Sequence, residues 1–370
     1  QCLRSGGTLL GRSWPPPSVK FDYLHSFTPV GNCKPAMADK LLLSIVLIVL
    51  SAGCSNLMTA PPPDRVLAGI HEFGTTALAY TPDGLRLISG GFRGELRIWD
   101  TATQRQLGEA HAHRGAVRAI LPLASGDFVS GGEDGRLILW HGSRIKAQSV
   151  RADVIALVLF QGRVVSAHRD RQLRVWSADT LQALREIAVD DNVAALSASG
   201  NRLAVGLDRA IVLMDVEFRA RRTLPARRTP HDLQFSPDGR MLAAGNWFRL
   251  SLWDVASGTA RSIPTEHNGL LTSIAFSPDG RHLATLGRHT DSAIRVLDTV
   301  DFKVVQRYRA HDLCGAMIRF SPDGNMMASG SDDESVRLYR TASFQSGQTG
   351  SGSTGPGRVQ SSSGAIPSAH

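Results

Sequence analysis

Lysine is scarce in this chain. Only residues 20, 34, 40, 146 and 303 are Lys, so 36 of the 41 basic residues are Arg. Cysteine is scarcer still: Cys2, Cys33, Cys54 and Cys314 are the four among 370 residues. No CxxC occurs and no His pair has zinc-ligand spacing, so a metal site is not expected. No apolar run reaches the ~20 residues of a membrane-spanning helix. Beyond residue 64, no stretch holds the i, i+3, i+4 apolar pattern over a helical length. The formal charge is +8, but the arginines are scattered. Without a basic helix or an interleaved aromatic-basic motif, nucleic acid is not an expected partner.

Hydrophobic residues make up 42% of the chain, ample for a large core. Four short phrases share one form: "YTPDGLRLISG" from Tyr80, "FSPDGRMLAAG" from Phe235, "FSPDGRHLATLG" from Phe276 and "FSPDGNMMASG" from Phe320. Pro sets φ at the second turn position, Asp bonds back to the backbone, and Gly accepts positive φ. Apolar runs flank the phrase on both sides, so it reads as a hairpin corner. A nucleophile would be needed once, with one base and one orienting group. Fourfold recurrence therefore argues for a structural role.

These phrases set a longer period. Short alternating strands end at Trp99, Trp140, Trp176, Met214, Trp253, Leu297 and Tyr339, spaced by 41, 36, 38, 39, 44 and 42 residues. Each unit places one strand before the turn, one after it and one ending at this anchor. Periods of this length mark repeat architectures.

The order resembles the WD-repeat β-propeller family over residues 64–342. Trp-Asp stands at Trp99-Asp100 and Trp253-Asp254. Asp lies six residues before the anchor at Asp134, Asp170, Asp208, Asp291 and Asp333, while Arg93 and Trp247 replace it in units one and five. His precedes the first strand at His71, His113, His267 and His311, with His231 a further candidate. Ala112 and Ala310 stand where the family usually has Gly before that His. The resemblance implies an all-β fold of seven four-stranded antiparallel blades, closed by an N-terminal strand near residues 65–69. It also implies a hydrogen-bonded set in unit two of His113, Ser130, Asp134 and Trp140. That set contains Ser, His and Asp, but repetition favours a scaffold role over a catalytic triad. No catalytic residue, no cofactor and no small-molecule substrate are expected.

Residues 37–54, "MADKLLLSIVLIVLSAGC", form a second recognisable segment. A Lys-bearing start, a short apolar stretch and small residues before Cys54 fit an exported, processed leader. The segment is similar to a bacterial lipoprotein signal, with Ser51 where Leu is commonest. The resemblance implies cleavage before Cys54, lipid on its sulfur and, given Ser55, an outer-membrane anchor facing the periplasm. The expected organisation is then 1–36 as upstream translation, 37–53 as signal peptide, 54–63 as tether, 64–342 as propeller and 343–370 as a disordered Gly/Ser-rich tail.

In the family, turns between second and third strands share a face with the loops entering each first strand. Those turns carry Arg169, Arg171, Arg209, Trp247, Phe248, Arg249, Arg288 and His289, which are the expected partner-binding residues. One arc should be basic and aromatic. The opposite arc, with Glu133-Asp134 and Asp332-Asp333-Glu334, should be acidic. Trp247 has a second reading, as a wedge against a neighbouring blade. Arg219, Arg221, Arg222, Arg227 and Arg228 are expected on the outer rim, solvated or near lipid headgroups. The function expected is a non-enzymatic, lipid-anchored scaffold for protein partners. An assembly factor handling outer-membrane proteins is the alternative.

Overall fold

The computed structural model describes residues 60–288, 291–309 and 311–342. The expectations for Cys54, His289, the segment 37–53 and the tail 343–370 lie outside these residues. The described residues form seven four-stranded antiparallel sheets and the fold is a seven-bladed propeller. Blade 1 consists of Thr75–Tyr80, Arg86–Gly91, Glu95–Asp100 and Gln106–His111, running from channel to rim. In six blades the strands follow chain order, so each neighbouring pair is a hairpin. The seventh takes its outer strand from the other end of the chain: Arg65–Leu67 pairs with Val336–Arg340 in the register Arg65↔Leu338, Val66↔Arg337 and Leu67↔Val336. Asp64 strengthens the join, accepting from the Arg340 N–H at 2.6 Å. Closure leaves no sheet edge open between blade 1 and blade 7.

Residue patterning explains the layering. The two middle strands of a blade are covered on both faces, so they are almost continuously apolar: Val164, Val165, Leu173 and Val175 of blade 3 are all buried. Outer strands face solvent on the rim and turn polar, as in Ala183–Ala188 with Arg185 and Glu186. The core is not central but lies between adjacent blades. Phe160, Val165 and Leu173 of blade 3 pack with Val193, Leu203 and Met214 of blade 4. First strands surround a channel of about 810 Å³. Its arginines are engaged: Arg169 pairs with Asp153 at 3.1 Å, Arg118 with Glu133, and Arg319 donates to Ser273 Oγ at 3.0 Å.

The recurrent Pro-Asp-Gly phrases are hairpin corners. Ser277 Oγ donates to Asp279 Oδ1 and accepts from the His282 N–H at 2.9 Å, while Asp279 also accepts from the Arg281 N–H at 3.0 Å. Gly280 closes the corner at φ +72°. Blades 5, 6, 7 and 1 carry the phrase, and they are consecutive around the ring. In blades 6, 7 and 1 the glycine of the corner faces the proline of the preceding one: Gly280 faces Pro237, Gly324 faces Pro278 and Gly84 faces Pro322. The corners therefore join neighbouring blades as well as strands.

Candidate partner-binding face

The repeated polar residues are used internally. In blade 2, the Trp140 indole N–H donates to Ser130 Oγ at 2.8 Å, and Ser130 bonds His113 Nε2 at 2.7 Å. His113 Nδ1 then reaches Asp134 Oδ1 at 2.9 Å. One tautomer satisfies the whole chain: Nδ1–H donates to the carboxylate and Nε2 accepts from the serine. Burial holds the His113 pKa below its ordinary value, against the opposing pull of Asp134. Burial pushes Asp134 upward, but the bonds from His113 and the Arg114 and Arg136 N–H groups outweigh it and leave it below the usual range. The hydroxyl and imidazole are enclosed, so no substrate reaches them. Blade 7 repeats the set with His311, Ser329 and Asp333, and blade 6 with His267, Thr285 and Asp291.

Blades 1, 3, 4 and 5 depart from the expected assignment, each for a physical reason. Blade 1 lacks Asp at position 93, yet its set is complete. Glu95 Oε1 bonds His71 Nδ1 at 3.1 Å, and His71 Nε2 bonds Ser89 at 2.8 Å. Gly91 makes room, since a Cβ there would lie 2.0 Å from Glu95 Oε1. In blade 3 the imidazole comes from the end of the second strand. His168 bonds Ser166 and the Ala152 carbonyl, both at 2.7 Å, and Trp176 donates to Ser166 at 2.8 Å. Asp170 is thereby released and pairs with Arg174 at 2.6 Å.

Blades 4 and 5 have no such set. Their connections between second and third strands span four residues, 207–210 and 246–249, against five in blades 1, 2, 3 and 7. Asp208 meets no histidine and instead accepts from Asn192 Nδ2 at 3.3 Å. Val205 and Ala244 occupy the serine position. Met214 replaces the indole in blade 4, but Trp253 remains in blade 5 with its buried Nε1 unpartnered.

The described residues of the expected binding turns lie on one face, and several of their arginines are held by hydrogen bonds or ion pairs. Arg169 pairs with Asp153, Arg171 donates to Asn192 Oδ1 at 3.3 Å, and Arg288 reaches Asp332 at 3.3 Å. The Arg288–Asp332 pair joins the basic arc to the acidic one where the two adjoin, at the seam of blades 6 and 7. Arg249 folds onto its own blade, donating to Ser262 Oγ at 2.6 Å and to the Ser262 carbonyl at 2.8 Å. Trp247 and Phe248 stay 39% and 51% exposed. The Trp247 backbone bridges to Leu270 in the loop entering blade 6, while the residue stays partly in solvent.

Comparison with known proteins follows this geometry. The family model for the WD domain, G-beta repeat, matches residues 67–100, 104–141, 259–298 and 302–340. Four segments of the chain thus match as WD40 repeats. Similar proteins include cilia- and flagella-associated protein 52 of Sus scrofa, 26% identical over 62% of this chain and 32% of the relative. Protein HIR1 of Candida albicans is 24% identical over 55% of this chain and 24% of the relative. A guanine nucleotide-binding protein subunit beta of Zea mays is 28% identical over 48% of this chain and 52% of the relative. The match thus spans well under two thirds of each relative, and all three come from eukaryotes. The four matched WD40 repeats correspond to blades 1, 2, 6 and 7, the four in which a histidine from the entering loop meets an acid. The unmatched stretch 142–258 holds the altered blades.

The sequence reading missed two features of the loop face and its surroundings. Phe73, in the loop entering blade 1, and Phe92, in the turn of the same blade, are 54% and 49% exposed. They adjoin: the Phe92 N–H donates to the Gly74 carbonyl at 3.2 Å, and the Arg93 guanidinium lies 4.7 Å from the Phe73 ring. Two phenylalanines at connection positions, as at Trp247-Phe248 in blade 5, were the available signal. The second miss is the placement of the arginine cluster. Arg219 and Arg221 are tied to Asp215 on the rim side, and Arg222 donates to the Ala256 carbonyl at 2.7 Å. Arg227 and Arg228 lie past the outer strand Ala220–Pro225, in the loop returning to the binding face.

Proposed function

We propose that this chain is a non-enzymatic WD-repeat scaffold that binds protein partners through the loop face. The observation that carries this reading is the division of polar chemistry. Every Ser-His-acid set is buried and internally bonded, while Phe73, Phe92, Trp247 and Phe248 stand exposed at connections of one face. Repeated, satisfied sets rigidify a fold, whereas exposed Trp, Phe and Arg on loops are the residue types that anchor protein interfaces. Among the described residues no group of three His, Cys, Asp or Glu is placed to hold a metal.

The proposal extends to the anchor. Lipid on Cys54 would hold the propeller at a bacterial envelope membrane, in the outer membrane facing the periplasm. This part is supported by residues 37–54 alone. The decisive experiment has two arms. Radioactive palmitate should label the intact protein and not Cys54→Ala; label independent of Cys54 removes the anchor. Photocrosslinkers placed at positions 73, 92 and 248 of the loop face should trap a defined protein partner in vivo, while crosslinkers in the Pro-Asp-Gly corners should not. Equal trapping from both faces removes the scaffold reading.

A further inference from the structure

Blades 4 and 5 lack the internal polar set, and their loop face carries exposed basic and aromatic side chains. The loop entering blade 5 is pinned on both sides. The Ala226 N–H donates to the Arg209 carbonyl at 3.1 Å, Thr229 Oγ1 to the Asp208 carbonyl at 3.1 Å, and the His231 N–H to the Gly245 carbonyl at 3.2 Å. These bonds hold Arg227 and Arg228 beside Arg209. The loop also reaches the end of the second strand of blade 5, and the turn that follows that strand bears Trp247 and Phe248, bonded on its far side to Gly269 and Leu270 of the loop entering blade 6. The three arginines, Trp247 and Phe248 are all exposed. Among the described residues, no carboxylate lies within ion-pair distance of Arg209, Arg227 or Arg228. The nearby acids are occupied elsewhere: Asp208 bonds Asn192, and Asp232 accepts from Ser273 Oγ at 2.9 Å and the Ile274 N–H at 3.0 Å.

Phe248 adds a second observation. It sits at φ +62°, in the turn position that Gly94 and Gly135 fill in blades 1 and 2. A bulky residue there is disfavoured, and glycine would serve the turn better. Its ring stays half in solvent, so core packing does not explain it. Arg171 and Glu334 take the same position in blades 3 and 7 at φ +59° and +63°, so what sets Phe248 apart there is an exposed apolar ring in place of a polar chain.

We propose that the seam of blades 4 and 5 binds an acidic peptide segment of a partner protein, with the three arginines taking its carboxylates and Trp247 and Phe248 taking an apolar side chain. This deepens the scaffold reading and rests on it. Charge complementarity selects the occupant. Guanidinium groups pair with carboxylates through forked hydrogen bonds, and the aromatic pair supplies the desolvated anchor that interfaces need. A polyanion backbone fits less well. Its affinity grows with the number of phosphates neutralised, and the positive charge here is local. Asp190 and Asp191 lead into blade 4 on one side, and Glu266 with Asp332 stands beyond blade 5 on the other.

The test is selection of a random dodecapeptide phage library on the purified full chain, followed by affinity measurement of the selected peptides. Peptides should be enriched in Asp and Glu around one aromatic or aliphatic residue. Their binding should fall by about tenfold or more in Arg227→Glu/Arg228→Glu and in Trp247→Ala. Arg219→Glu/Arg221→Glu, at the rim, should leave it unchanged. Enrichment without acidic character, or binding that survives Arg227→Glu/Arg228→Glu, overturns the proposal. So does tighter binding of oligodeoxythymidylate or phosphatidylglycerol vesicles to the same arginines. If selected peptides bind elsewhere on the loop face, the scaffold reading stands and this seam falls. If no peptide is retained, this seam falls and in vivo crosslinking judges the scaffold separately.

Discussion

Ser130→Ala tests the claim that the Ser-His-acid set is structural. Ser130 is fully buried and bridges the Trp140 indole at 2.8 Å and the His113 imidazole at 2.7 Å. Removing its hydroxyl leaves a buried N–H and a buried ring nitrogen without partners. Each orphaned group costs about 1–3 kcal/mol. Relaxation recovers part of that, so a loss of about 2–4 kcal/mol is expected. At roughly 2–4 °C per kcal/mol for a domain of this size, Tm should fall by roughly 5–15 °C. Blade 5 offers the reverse experiment. Ala244 occupies the serine position beneath Trp253, whose buried Nε1 has no partner. Ala244→Ser should supply the acceptor and raise stability by about 0.5–1.5 kcal/mol, the net worth of a typical hydrogen bond. Blade 4 shows a third solution, in which Val205 and Met214 replace both partners and nothing polar is stranded. Urea denaturation followed by tryptophan fluorescence measures both variants. A Ser130→Ala midpoint within ~0.5 kcal/mol of the parent would refute the reasoning, because ordinary surface substitutions produce changes that small. Destabilisation by Ala244→Ser would refute it from the other side.

Acid should weaken the propeller before it affects the surface. His71, His113, His168, His267 and His311 all have pKa values lowered by burial from 6.5. The unfolded chain therefore takes up protons that the folded chain resists, so stability should be constant from pH 7 to 9 and fall as pH drops through about 6.5; a flat profile from pH 7 to 5 would contradict this. Asp134, Asp291 and Asp333 lie below their ordinary 3.8, so their contribution is present above that value and lost at still lower pH. Glycine variants should separate conformation from contact. Gly280→Ala meets only ordinary contact at 3.7 Å but sits at positive φ, and should cost about 1 kcal/mol. Gly132→Ala would place a Cβ 2.5 Å from His113 Nδ1 and 2.7 Å from Asp134 Oδ1, and should cost on the order of 3 kcal/mol by thermal melt. Equal losses would show that one of the two causes is misassigned.

The blade count was legible because a blade is specified many times over. Corner glycines, alternating strands and anchors all repeat, so the loss of Trp at Met214, Leu297 and Tyr339 did not disturb the register. The polar sets were less legible. A hydrogen bond depends on where an atom lies, not on which position supplies it. Position 93 offered Arg, but Glu95, two residues on, places its longer side chain at the same imidazole once Gly91 clears the space. His168 enters from a strand rather than a loop, and the Ala152 carbonyl replaces the carboxylate. Chain spacing alone made Asp208 look equivalent to Asp134, yet a connection one residue shorter carries it away from any histidine.

The binding face was the least legible because adjacency there is made by the fold. Arg227 and Arg228 follow Arg219, Arg221 and Arg222 closely in the chain, which suggested one cluster. The outer strand Ala220–Pro225 runs from one face of the blade to the other, so it separates them. Arg209 lies farther from Arg227 in sequence than Arg222 does, yet the bond from Ala226 to its carbonyl brings the two together. In a repeat protein this has a general consequence. Residues one strand apart in the chain are assigned to opposite faces, and residues a hairpin apart return to the same one. The departures from the repeat in blades 4 and 5 then acquire a meaning that no single unit shows. Those two blades lack the set that stiffens the others, and their loop face carries the exposed rings of Trp247 and Phe248 and three arginines, 209, 227 and 228, that among the described residues have no carboxylate within ion-pair distance.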